Sequence, residues 1–132
     1  MSFAVEVMNK LIADGLVTST NFFVGPSVVI PAGPGPFTLL TTTGGSGDEL
    51  THNDLDGYAR PSAQIIVTAS TRAVAEAKAE AIRDSLKRVR NTTLGTCWYL
   101  KIIADQQVFD FPLDGSSRPR SGFNISAFKR PS

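Results

Sequence analysis

RPSAQIIVTASTRAVAEAKAEAIRDSLKRVR, residues 60–90, decides the fold. Its first part, AQIIVTA at residues 63–69, is short, almost wholly apolar or β-branched, and bounded by Pro61 and Ser70. Such a run predicts a strand covered on both faces, because a strand with one wet face alternates more cleanly. From Thr71 the period changes. Ala75, Ala79, Ile82, Leu86 and Val89 recur at spacings of four, three, four and three, which sets them on one stripe of a helix. Ser70 or Thr71 offers a side-chain oxygen to cap its N-terminus. Glu76 and Glu80 precede Arg83, Lys87, Arg88 and Arg90, the order that the helix macrodipole favours. The alanines at 73, 75, 77, 79 and 81 let this helix lie close to a sheet or another helix.

Upstream, residues 3–16 (FAVEVMNKLIADGL) predict a first helix with Val5, Met8, Ile12 and Leu16 on its inner face and Leu11 beside them. Residues 20–24 (TNFFV) read as a short strand. Residues 25–36 (GPSVVIPAGPGP) hold half the prolines of the chain, so they read as an extended connection with an edge strand at most over 28–30. Residues 37–43 (FTLLTTT) resume a strand. Downstream, residues 91–96 turn the chain, and CWYLKIIA at 97–104 predicts a strand with Trp98, Leu100 and Ile102 on one face and Tyr99, Lys101 and Ile103 on the other. After a turn at 105–107, VFDFPL (108–113) suggests the second arm of an antiparallel hairpin. A loop at 114–122 leads to a last strand at 123–130. This order describes an α+β domain over residues 1–132: one mixed, mostly antiparallel sheet, with an N-terminal helix and a central helix packed on one side.

A chain of 132 residues with 42% hydrophobic content can bury a core. A net charge of +1 gives no bulk attraction to nucleic acid or anionic membrane. No run of apolar residues is long enough to span a bilayer, and Glu6 interrupts the N-terminal apolar stretch that a secretory signal would need. The single cysteine, Cys97, cannot form an internal disulfide, which fits a protein made in the cytosol.

Residues 44–58 (GGSGDELTHNDLDGY) lack periodicity, hold only two leucines, and read as a long, mobile, acidic loop that extends over 44–60 and carries Asp48, Glu49, Asp54 and Asp56. The plain alternative is a solvated excursion. Chemistry fails on inventory. One histidine (His52) and one cysteine assemble neither a metal site nor a nucleophilic pair. The Asp54–Gly57 segment resembles the middle of a calcium loop, but His52 and Ala63 occupy its first and last ligand positions. The Gly-rich turns at 33–35 and 44–47 lack the Lys-Ser/Thr of a phosphate loop. We therefore expect no catalytic residue, cofactor or metal. What remains is charge placement. Arg83, Lys87, Arg88 and Arg90 end the central helix, and Arg118, Arg120, Lys129 and Arg130 gather near the C-terminus, against the acidic stretch. Either these are solvated faces, or opposite patches meet on neighbouring subunits and set their register.

Several spaced residues carry a resemblance: the Gly15-Leu16 helix end, Phe23-Val24-Gly25 leading into the Pro-rich bridge, and Thr43-Gly44-Gly45. Arg60-Pro61-Ser62-Ala63-Gln64 before the Ala-rich helix, Arg118-Pro119-Arg120 and Phe123-Asn124 complete the set. Over most of its length the chain resembles the tail-terminator or tail-completion (minor capsid) proteins of long-tailed bacteriophages, and departs from them in its longer 44–58 stretch. The resemblance implies a non-enzymatic virion protein of the tail or neck, assembled in the host cytoplasm. Such a protein forms a ring, usually of six subunits, that caps the tail tube, ends its polymerisation and presents a surface to the head or neck proteins. DNA would pass through its lumen, with no membrane involved. Arg60, Gln64, Arg118, Arg120 and Asn124 are the positions to which a structural or interface role is assigned. A neck adaptor of similar size is the near alternative. A single-stranded nucleic-acid module stacking bases on Tyr99, Phe109 and Phe111 is a second, weakened by Asp105 and Asp110, and a small hydrolase or transferase ranks last.

Overall fold

The computed structural model describes residues 3–25, 30–33, 35–43, 46–51, 54–95, 97–113 and 118–130, with the backbone alone described over 46–51 and 54–58. The elements in chain order are α1 (Phe3–Ala13), β1 (Phe22–Val24), β2 (Phe37–Thr42), β3 (Ser46–Thr51), β4 (Asp54–Arg60) and β5 (Ser62–Thr68). They are followed by α2 (Arg72–Lys87), β6 (Arg90–Leu94), β7 (Cys97–Ala104), β8 (Phe109–Phe111) and β9 (Arg120–Lys129). The expected α+β class holds: α1 and α2 cover one side of a mixed, mostly antiparallel sheet in which only β1 and β2 run parallel.

β9 is the hub of the sheet. Along one edge it pairs with β5 from Ser62↔Ser126 to Thr68↔Arg120. Along the other it pairs with β7 at its C-terminal half and with β8 at its N-terminal half. β5 continues outward to β2 and β1, and β7 to β6. Gly122 makes the central pairing possible. A Cβ there would stand 2.1 Å from the Ile65 carbonyl oxygen, a backbone atom with no rotamer to move to.

The core lies between helices and sheet. Ala75, Ala79, Ile82, Leu86 and Val89, the stripe read from the sequence, are all buried, against Ile65, Val67, Phe123 and Ile125. Thr71 is the N-cap, its Oγ1 accepting from the Val74 N–H at 3.3 Å. α1, however, is turned from the expected face. Phe3, Ala4, Glu6, Val7 and Leu11 are buried, whereas Val5, Met8 and Leu16 are half-buried and Ile12 is exposed. The tight docking of Phe3 and Val7 outweighs the longer apolar row.

Other expectations are corrected. β5 alternates: Ala63, Ile65 and Val67 are buried, but Gln64 and Ile66 are half-exposed, because helices cover only one side of the sheet. The acidic stretch expected as a loop over 44–60 forms the antiparallel hairpin of β3 and β4, in register Thr51↔Asp54 and Glu49↔Tyr58. The hairpin meets the rest of the sheet at one residue pair, Ala59↔Lys129, so it carries no alternating apolar pattern from which strands are read. Residues 91–96 are mostly strand rather than turn, as β6, with Asn91 at a φ of 48°. β7 and β8 do not pair with each other as the expected hairpin; both pair with β9. An irregularity between Tyr99 and Lys101 switches the faces of β7, so Cys97, Tyr99 and then Ile102 point to the core. β9 also starts at Arg120, inside the stretch expected as a loop. The edge strand expected over 28–30 falls largely outside the described residues.

Candidate assembly interface

The face of the sheet away from the helices is uncovered, and it gathers Arg60, Gln64, Arg118, Arg120 and Asn124 of the residues picked out by sequence. Gln64 and Asn124 stand directly opposite each other across β5 and β9, with Thr41 of β2 next to Gln64. Neither amide side chain makes a hydrogen bond within the chain among the described residues, so both are available to a partner. Gln64 is half-buried rather than enclosed.

Around these amides lie cations stacked on aromatic rings. The Arg60 guanidinium sits 4.5 Å from the Phe128 ring centre, and the Lys101 ammonium 5.2 Å from the same ring. Arg120 lies 6.0 Å from Phe111 and Arg130 5.7 Å from Trp98. At the β2 end, Arg118 lies 5.7 Å from Phe37 and donates to the Pro31 and Gly33 carbonyls at 2.7 and 3.2 Å. Arg120 donates through Nε to the Pro112 carbonyl at 2.8 Å. Each ring steadies its cation, by about 0.5–1 kcal/mol where the site is exposed. Among the described residues the carboxylate on this face is Asp105, which accepts from the Ser126 hydroxyl at 3.1 and 3.2 Å. The face is therefore basic although the chain as a whole is nearly neutral.

Arg83 and Arg88, expected in the same interface, are elsewhere. Arg83 Nε donates to the Gln106 carbonyl at 3.0 Å, and Arg88 is the C-cap of α2; both belong to the helix side. Asp48, Glu49, Asp54 and Asp56 lie on the β3–β4 hairpin, and their side chains fall outside the described residues, as does His52. Tyr99, Phe109 and Phe111 do not form a stacking platform: Tyr99 is buried on the helix side, leaving the Phe109–Phe111 stack at 4.8 Å.

A buried polar cluster escaped the sequence reading. Glu6 of α1, fully enclosed, accepts through Oε1 from the Tyr99 hydroxyl at 2.6 Å and from the Lys129 ammonium at 2.9 Å. Glu6 Oε2 has no hydrogen-bond partner. Burial first, then the hydrogen bond to Glu6 and its charge, push the Tyr99 hydroxyl far above its ordinary value, which keeps it a donor. The cluster ties α1 to β7 and β9. Its only sequence signal is a carboxylate set among Phe3, Val7 and Leu11.

Among the described residues no three metal-ligating side chains converge, and no helix is long and apolar enough to cross a membrane. The chain matches no protein-family model and no curated protein. Among solved structures it is similar to a chain described as "Virion of native gene transfer agent (GTA) particle", with a TM-score of 0.71 and 18% identity. The likeness covers 98% of this chain and 96% of that one, so the two share a fold from end to end.

Proposed function

We propose that the protein is a structural, non-enzymatic component of a phage-like virion. In this reading it forms a ring, of six subunits, that caps the tail tube, ends its polymerisation and joins the tail to the head or neck. The observation that carries the reading is the fold likeness to a chain of a gene transfer agent virion, which covers 98% of this chain and 96% of that one. The resemblance of the sequence to tail terminators points the same way. So does the uncovered sheet face, where Arg60, Gln64, Arg118, Arg120 and Asn124 offer charge-assisted and amide hydrogen bonds to another protein surface. In this reading the β3–β4 hairpin, joined to the rest of the sheet at Ala59↔Lys129, reaches a tube or neck protein. DNA would pass through the lumen of the ring.

Electron microscopy of the purified protein, alone and mixed with tail tubes, tests this. Closed rings and tubes that carry a ring at one end and no longer lengthen are expected. A protein that stays monomeric at high concentration and leaves tubes growing overturns it. Rings that bind a portal or neck complex but ignore tubes would favour the adaptor role instead.

A further inference from the structure

A second surface, on the helix side, complements the basic sheet face. α2 and the segment leading into β8 enclose an open groove of about 480 Å³, lined by Glu76, Ala77, Glu80, Val108, Phe109 and Asp110. Glu76 and Glu80 are exposed and form no ion pair within the chain among the described residues. Asp110 is already engaged, by Arg72 at 3.2 Å and the Ser121 hydroxyl at 3.1 Å. Apolar surface accompanies the carboxylates. Ala73 and Ala77 of α2 are exposed, and Val108 beside them is half-buried. The sheet face has the matching pieces: the cations described above, and Ile103, which is 37% exposed. Lys101 there makes no ion pair or hydrogen bond among the described residues and rests only against Phe128.

We propose that the α2–β8 groove of one subunit receives the basic sheet face of a second copy of the chain, the helix layer of each stacking on the sheet face of the next. The inference rests on the ring reading above and names the two surfaces that make the ring. Groove and face lie on opposite sides of one sheet, so a chain cannot satisfy itself. The contact joins two different patches, and such a heterologous contact closes into a ring when the rotation between subunits permits. Carboxylates facing guanidinium and ammonium groups fix register and speed encounter, while the exposed apolar side chains supply the dry part of the contact.

Two double variants test it, each at exposed or half-exposed positions: Glu76→Lys with Glu80→Lys, and Lys101→Glu with Arg130→Glu. Thermal melts first establish that both fold. Each variant alone should need about tenfold or more the wild-type concentration to assemble, read by native mass spectrometry. Mixed in equal amounts, they should recover assembly, because every interface in an alternating ring again pairs opposite charges. Either variant assembling like the wild type, or a mixture no better than its parts, overturns the proposal while leaving a wild-type ring intact. A wild type that never assembles sinks the ring reading itself. Should Lys101→Glu with Arg130→Glu abolish salt-sensitive binding of a DNA oligonucleotide while assembly is untouched, the sheet face serves nucleic acid and the proposal falls.

Discussion

At the scale of single residues, the Glu6–Lys129 pair decides how α1 is seated. Both charges have left water, and their attraction must offset that desolvation with one carboxylate oxygen still unpartnered. Removing one partner is therefore far worse than removing both. Glu6→Leu should destabilise the fold by about 3–5 kcal/mol, since it strands the Lys129 ammonium among Tyr99 and the sheet. Glu6→Leu combined with Lys129→Met should recover most of that loss, less the cost of the orphaned Tyr99 hydroxyl. A double-mutant cycle from urea unfolding measures the coupling; additive single effects would show that the pair is not coupled. Sequence could not reveal the cluster, because its partners lie 93 and 123 residues from Glu6 and no local rule links them. Gln64 and Asn124 were legible as special positions, but their facing each other is a fact of register, set by the pairing of β5 with β9.

At the scale of elements, α2 was readable from its own sequence because cap, stripe and charge order all agree. β6, β8 and the hairpin were not, because short or polar strands take their conformation from a partner strand rather than from their own pattern. The same limit hid the join between the helices. There the Ser85 hydroxyl, buried on α2, donates to the carboxylate of Asp14 just past α1, and Lys10 lies 3.0 Å from the same oxygen. The hydrogen bond from Ser85, then that from Lys10, hold the Asp14 carboxyl below its ordinary value of 3.8. A carboxyl lowered on folding stabilises the native state above its unfolded pKa, and that contribution is lost as pH falls through the native value. Ser85→Ala should thus lower stability at neutral pH, and the gap from wild type should shrink as pH falls through the lowered native pKa and Asp14 protonates in both proteins. Urea midpoints across the acid range provide the check; a gap that stays constant with pH would assign the loss to packing alone.

At the scale of the whole molecule, the body and the hairpin behave as separable parts. β1, β2, β5, β7 and β9 with the two helices enclose one core, while β3 and β4 pair chiefly with each other and join that body at Ala59↔Lys129. Charge on the hairpin should accordingly matter little to folding and much to association. Asp48→Lys with Glu49→Lys should leave the unfolding midpoint within about 0.5 kcal/mol of wild type, as surface changes away from a core usually do. If the hairpin reaches the tube or neck, this variant still forms rings, in contrast to groove variants, but those rings hold tubes more weakly. Their residual binding should also depend less on ionic strength, because opposite charges across the contact have been lost and screening has less to act on. Sedimentation of rings with tubes over a salt series separates the cases. Capping that is unchanged in strength and salt dependence would mean that the acidic hairpin is merely solvated, and that the tube is held by the body of the ring.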